Sequence, residues 1–113
     1  MINAQWYVLL PANLKDTAYS TGKELAWPKQ EALQVINLLT ANSYAVFVVE
    51  PWLPTKPGPT PLVRNWPEVN SARNNLPPLT AEEFVQNFEL IPSERNLNGL
   101  TPVFNIWAKR ENG

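Results

Sequence analysis

The 113-residue chain contains no cysteine and no histidine. Without cysteine there is no disulfide framework and no thiolate nucleophile, and without both residues the usual zinc ligands and the commonest general base are missing. Charge of either sign is also scarce. Nine basic against ten acidic residues leave a formal charge of -1, and only 17% of the chain is charged. There is no broad basic field to hold phosphate backbones, and no acidic excess that could imitate a nucleic acid. No apolar run approaches the roughly eighteen residues that a membrane-spanning helix needs. The stretch 1–11 has neither a basic n-region nor a long apolar h-region, so it does not read as a secretory signal, and a soluble, cytoplasmic protein is expected.

What is present fits a folded domain. The apolar fraction is 44%, and a chain of this length can bury a core without covalent staples, so residues 1–113 are expected to form one domain. The spacing predicts an α+β fold: a small mixed sheet of three to five strands with two main helices packed on it, in two layers. Gln5 to Leu10 is apolar on both alternating phases and reads as a covered strand ended by Pro11; residues 11–27 read as a long loop. Pro28 suits the first position of a helix over about 28–41, with Ala32, Val35, Ile36 and Leu39 on one stripe and Asn42-Ser43 as the stop. The strand from Tyr44 to about Glu50 follows, and strand, helix, strand suggests a right-handed parallel crossover. Thr80-Ala81-Glu82-Glu83 has the form of a capping box opening a short second helix that carries Phe84, Val85 and Phe88 inward and ends before Pro92. Residues 93–101 read as a turn hinged at Asn98-Gly99. From Pro102 to Arg110 the chain alternates, with Phe104, Ile106 and Ala108 on one face and Asn105, Trp107 and Lys109 on the other.

Three stretches invite a chemical reading. Ser20-Thr21-Gly22-Lys23 ends like a phosphate loop, but the upstream glycines are absent and Glu24 follows, so a loop turn is preferred. The glutamates Glu50, Glu82, Glu83, Glu89 and Glu94 could supply an acid and a base, yet no pair stands out, and Glu82 and Glu83 already suit a helix N-terminus. Pro51-Trp52-Leu53-Pro54-Thr55-Lys56 fits P-x-x-P-x-basic, the pattern of a polyproline ligand for an SH3-like partner.

The proline segment itself, EPWLPTKPGPTP at 50–61, is expected to end strand pairing. A reversal around Pro57-Gly58 would set Glu50 opposite Arg64, Leu62 opposite Trp52 and Trp66 opposite Val48. Such an ion pair could hold the hairpin together or contact a partner, and a slip of one residue would turn every side chain over. Five tryptophans are many for this length; Trp52 and Trp66, beside the prolines, are the candidates for a surface.

Taken together, Val48-Val49-Glu50-Pro51-Trp52-Leu53-Pro54-Thr55, then Pro57-Gly58-Pro59-Thr60-Pro61 and Trp66, resemble small immunity proteins of bacterial polymorphic-toxin and contact-dependent inhibition systems. The resemblance covers about residues 28–90. It implies a cytoplasmic α+β domain without catalysis and without a cofactor, which binds a cognate toxin domain and blocks it. On that reading the contact surface is a proline-stiffened edge carrying Glu50, Trp52, Lys56, Arg64 and Trp66, and the partner is a protein rather than a nucleic acid or a membrane; the sequence does not fix an oligomeric state, and a monomer is favoured. The alternatives are a proline-motif adaptor and a small carboxylate enzyme.

Overall fold

The computed structural model describes residues 5–21, 24–55, 58–62, 64–71, 77–95 and 99–111. In chain order these form a 3-10 turn Gln5–Leu9, α1 Ala12–Asp16, β1 Tyr19–Ser20, β2 Leu25–Pro28, α2 Lys29–Ala41, β3 Tyr44–Leu53, β4 Thr60–Pro61, α3 Glu68–Ser71, α4 Ala81–Asn87, α5 Pro92–Arg95 and β5 Val103–Arg110. The strands make one sheet in the order β1-β2-β5-β3-β4. The fold is α+β, as the spacing predicts, but the sheet is not mixed. Every pairing between described strands is antiparallel, and β5 lies between β2 and β3.

The expected first strand is a 3-10 turn, which removes the parallel crossover. An apolar run with no clear period leaves strand and buried helix equally open. Here the chain turns Trp6 and Leu10 into the core and leaves Val8 79% exposed. The expected loop at 11–27 holds α1 and the β1–β2 hairpin instead, closed by the Thr21 N–H donating to the Glu24 carbonyl at 3.1 Å. Gly22 and Lys23 lie outside the described residues. The described strands β1 and β2 pair antiparallel with each other, whereas a phosphate loop requires a strand leading into a helix. Within β2, Trp27 is completely buried; its indole N–H donates to the Leu14 carbonyl at 2.7 Å and its ring meets Trp6 at 6.0 Å.

Helix α2 follows the stripe read from the sequence. Ala32, Val35, Ile36 and Leu39 are buried, and burial of each larger member stabilises the fold by about 1.5–3 kcal/mol. Pro28 stands one position earlier than expected. It is the N-cap, with ψ at 165°, and also the last residue of β2, so its fixed φ joins strand to helix with no intervening loop. At the other end the left-handed residue is Ser43, with φ of 62°, and not Asn42. Asn42 caps instead, its Nδ2 donating to the Leu38 carbonyl at 2.8 Å. A left-handed residue with a Cβ costs about 1–2 kcal/mol relative to a relaxed one. Ser43→Gly should therefore raise stability by about 0.5–1 kcal/mol, which a urea titration would register as a higher midpoint at unchanged slope.

The capping box is present in full: Thr80 Oγ1 accepts from the Glu83 N–H and Glu83 Oε1 accepts from the Thr80 N–H, both at 3.0 Å. It starts α4, which buries Phe84 and Val85, and Phe88 follows at the C-cap, packed edge-on against Phe104 at 5.5 Å. Strand β5 alternates as expected, sending Phe104 and Ile106 into the main core. Residues 93–95, expected as turn, belong with Pro92 to α5. Gly99 takes φ of 70°, in keeping with a hinge there, while Asn98 lies outside the described residues.

Strand β3 does not stop at Glu50. It continues through Pro51 and Trp52 to Leu53, all three buried. In an antiparallel strand the N–H and C=O of one residue point to the same side. Val49 bonds Trp66 in both directions, so Pro51 faces that side too, and its carbonyl accepts from the Leu62 N–H at 2.9 Å. The missing N–H of Pro51 is thus turned away from β5, and the β3–β5 ladder loses nothing. On the Pro51 side the returning arm takes four steps, from Leu62 to Trp66, against two on β3, from Pro51 to Val49. The resulting pairs are Pro61 with Trp52, Thr60 with Leu53, and Trp66 with Val49. Each is one residue off the expected register, in opposite senses on the two sides of the irregular stretch.

Candidate functional site

The two faces of the sheet are built differently. One face belongs to the main core, where Trp27, Phe104, Ile106, Val49 and Leu53 meet residues from the helices. On the other, Ala26, Trp52 and Val103 form a small second cluster with Tyr19 against it, all strand residues. Consecutive strand residues point to opposite faces, so Asn105, Trp107 and Lys109 of β5 share the second face with Val103.

A bulge at Phe47 shapes this face. Val46 pairs with Ala108 and Val48 with Trp107, which leaves Phe47 as an extra residue without a partner. The insertion changes the phase of β3, so that Tyr44 and Val46 before it and Val49 and Leu53 after it all pack on the main core. Phe47 itself is displaced outward and is 40% exposed, and Trp107 is 46% exposed. Their rings meet edge to face, 6.3 Å apart at 90°, and the Lys109 ammonium stands 5.6 Å from the Phe47 ring centre.

Two indoles lie along their own strands on this face. Trp107 Nε1–H donates to Asn105 Oδ1, and Trp52 Nε1–H donates to Glu50 Oε1 at 2.6 Å. Asn105 and Glu50 are directly opposite in the ladder. Asn105, 1% exposed, also donates from Nδ2 to the Leu25 carbonyl at 2.8 Å, so the buried amide is satisfied on both of its atoms. The two tryptophans differ in cover. Tyr19 packs edge-on against Trp52 at 6.4 Å and its hydroxyl donates to the Thr55 carbonyl at 3.4 Å, which leaves Trp52 3% exposed. Among the described residues nothing comparable covers Trp107. Its indole is locked by Asn105 and Phe47 while nearly half of it faces water, and this combination of rigidity with exposed apolar area suits a contact surface.

Of the five residues singled out in the sequence, the four that are described are not brought together as one edge. Glu50 and Trp52 do meet, through the hydrogen bond above. Trp52, however, is a buried residue and not a surface anchor, because β3 continues past Glu50 and carries it under Tyr19. The same burial of Pro51, Trp52 and Leu53 means that no exposed polyproline helix is offered there. Arg64 does not face Glu50, since the irregular returning arm directs it elsewhere. It forms an ion pair with Glu94, donates from Nη1 to the Glu89 carbonyl at 3.1 Å, and stacks 4.5 Å above the Phe88 ring. Trp66 donates from Nε1 to the Leu79 carbonyl at 2.8 Å and is half-buried. Lys56 lies outside the described residues.

Arg64 thus ties the returning arm to the segment 88–94. With its side chain 32% exposed, solvent screens the ion pair, which alone is worth about 0–1 kcal/mol. With the stacking included, Arg64→Met should lower stability by about 1 kcal/mol, to be read from the denaturant midpoint.

The residues that sequence reasoning passed over as a site are Phe47, Asn105 and Trp107. A signal was available. Trp107 falls on the solvated phase of β5 with Asn105 and Lys109, where a large apolar side chain calls for an explanation. Phe47 gave none, because a bulge cannot be read from a run that is apolar on both phases.

Among the described residues no cluster of acidic side chains is arranged to hold a metal ion, and no helix is long and apolar enough to cross a membrane. An open groove of about 510 Å³ lies between the start of α2 and Phe88, Leu90 and Pro102, where Lys29 donates to the Gln86 carbonyl at 3.0 Å. No protein-family model, curated protein or solved structure is a match for this chain.

Proposed function

We propose that this protein is a binder without catalytic chemistry, an immunity protein that neutralises a cognate bacterial toxin domain by covering it. The observation that carries the binding role is the exposed, edge-to-face pair of Phe47 and Trp107 on the second face of the sheet. Rigid aromatic side chains lose little entropy on binding and are enriched at interface hot spots. The resemblance of the segment 48–66 to small immunity proteins supports the choice of partner. On this reading the protein acts in the cytoplasm as a monomer, and the proline hairpin stiffens the sheet that presents the pair. The polyproline adaptor draws no support from a Pro51 and a Trp52 held inside a strand.

Co-expression tests the role. Cells producing the toxin domain encoded beside this chain's gene should stop growing, and production of this chain in the same cells should restore growth. Undiminished toxicity would refute the immunity reading.

A further inference from the structure

Strand β3 is closed along only part of its outer edge. From Val49 to Leu53 that edge meets Trp66, Leu62 and β4. From Tyr44 to Val48 no described strand lies beside it, and burial follows the same division: Val49, Pro51, Trp52 and Leu53 are buried, whereas none of the residues 44–48 is. Alternation along the ladder tells which main-chain groups are left open. The N–H and C=O of Val49 face Trp66, so those of Val48 and Glu50 face β5, as do those of their partners Trp107 and Asn105 face β3. Further along β5, Lys109 faces β3 in the same phase, and its partner is Ala45. Tyr44 and Val46, on either side of Ala45, therefore turn their N–H and C=O groups outward, and among the described residues none bonds to any of the four. The open stretch 44–48 contains no charged residue, proline or glycine. Natural edges commonly carry charge or proline that deters pairing. The bulge at Phe47 breaks the phase and so confines regular pairing to the stretch from Tyr44 to Val46.

We infer that this edge takes up an extended segment of the partner protein as a further strand, bonded to the main chain of Tyr44 and Val46, with a large apolar side chain over Ala45 beside the Phe47 ring. This rests on the immunity reading above and adds the manner of binding. The recognising chemistry is that of the main chain, since paired outward N–H and C=O groups along a strand are matched by another extended backbone. The side chains choose the segment. Those of Tyr44 and Val46 pack on the main core, so Ala45, the partner of Lys109, lies on the second face with Phe47 and Trp107. Its small side chain stands next to the displaced Phe47, and the middle residue of the added strand fills the space above it. A second copy of the chain does not fit. Antiparallel pairing of this edge with itself, Tyr44 opposite Val46, would bring Asn42 opposite Val48 and Ala41, the end of α2, opposite Val49, where Trp66 already sits.

The test is amide hydrogen exchange read residue by residue by NMR, on the free chain at low and high concentration and on its complex with the purified toxin domain encoded beside it. In the free chain the amides of Tyr44 and Val46 should exchange at least about tenfold faster than that of Ala45, which bonds to β5, and in the complex they should slow by a similar factor. Calorimetric titration of two variants into the toxin domain separates main chain from side chain. Val46→Ala keeps the N–H and should bind as the unmodified chain does. Val46→Pro removes an N–H that points away from β5, as at Pro51, and should weaken binding at least about tenfold while still folding. Should Val46→Pro not fold, the exchange rates decide alone. Slow exchange at Tyr44 and Val46 in the free chain at both concentrations would overturn the open edge, and slowing at high concentration only would put a second copy there. A bound toxin domain that leaves both amides exchanging fast, or that binds a folded Val46→Pro at full affinity, would overturn the added strand and leave the immunity reading intact. No binding by the unmodified chain would remove that reading and this inference with it.

Discussion

Trp27→Ala should lower the stability of this protein by about 3–5 kcal/mol, the usual cost of emptying a large aromatic from a core, and enough to leave a small domain close to unfolding at room temperature. Trp27 is completely buried, yet it sits in the short strand β2, just ahead of the Pro28 that caps the helix. Its ring packs on Trp6 from the first turn, and its indole N–H satisfies the Leu14 carbonyl of α1. One side chain therefore fastens the whole segment 5–17 to the sheet. Removing it opens a cavity and leaves a buried carbonyl without its donor, and the two penalties fall on the same site. Trp27→Phe separates them. Most of the volume returns and the hydrogen bond does not, so the loss should shrink to about 1–3 kcal/mol, the cost of the unmet carbonyl. Chemical denaturation of the three proteins is the measurement, and near-equal losses for Ala and Phe would show that the hydrogen bond and not the packing dominates.

The second large effect is expected at Asn105. This amide is 1% exposed and works in both directions, accepting from Trp107 and donating to Leu25. Asn105→Asp keeps the shape and the acceptor but replaces the donor by an oxygen, which would face the Leu25 carbonyl. It also sets a second carboxylate directly opposite Glu50 in the ladder. An uncompensated buried charge costs about 3–5 kcal/mol. The penalty belongs to the ionised form, because a protonated carboxyl can again donate to Leu25. Burial and Glu50 both oppose ionisation of the new group in the folded state, so the loss should be smallest in acid and should grow as the pH rises to neutrality. A variant equally destabilised at every pH would show that packing, and not charge, is at fault. The acceptor that holds the Trp107 indole is kept in this variant, so the stability of the face can be changed while its shape is retained.

These two positions also mark what the sequence made legible. Where one period governs a segment, the reading held: the stripe of Ala32, Val35, Ile36 and Leu39 is the buried face of α2, the Thr80 to Glu83 box opens α4, and Phe104 and Ile106 alternate against Asn105 and Trp107 on β5. It failed where the apolar pattern has no single period or where pairing is irregular. Gln5 to Leu9 is apolar on both phases and its conformation is decided by the core it closes. Trp27 lies in a strand of four residues in which its partner is Phe104 of β5, far along the chain, and nothing local announces it. Pro51 appeared to end a strand, but its missing N–H is turned to the side where the returning arm leaves the ladder. That same departure sends Arg64 to Glu94 and not to Glu50. The candidate site follows the same division, since Trp107 was on the right face of β5 in the sequence, whereas Phe47 owes its exposure to a bulge that depends on how β3 and β5 meet.

On the proposed function, the face bearing Phe47 and Trp107 is the one that a toxin domain would cover. Of the five tryptophans, Trp6, Trp27 and Trp52 are buried, Trp66 is half-buried, and Trp107 is the most exposed. Hydroxyl-radical footprinting read by mass spectrometry distinguishes them residue by residue. In the free chain Trp107 should be the tryptophan oxidised fastest, and in the complex with the toxin domain its oxidation should fall several-fold while that of Trp66 stays as it was. Equal oxidation of Trp107 in the free and bound chain, with protection at Trp66 instead, would contradict the account.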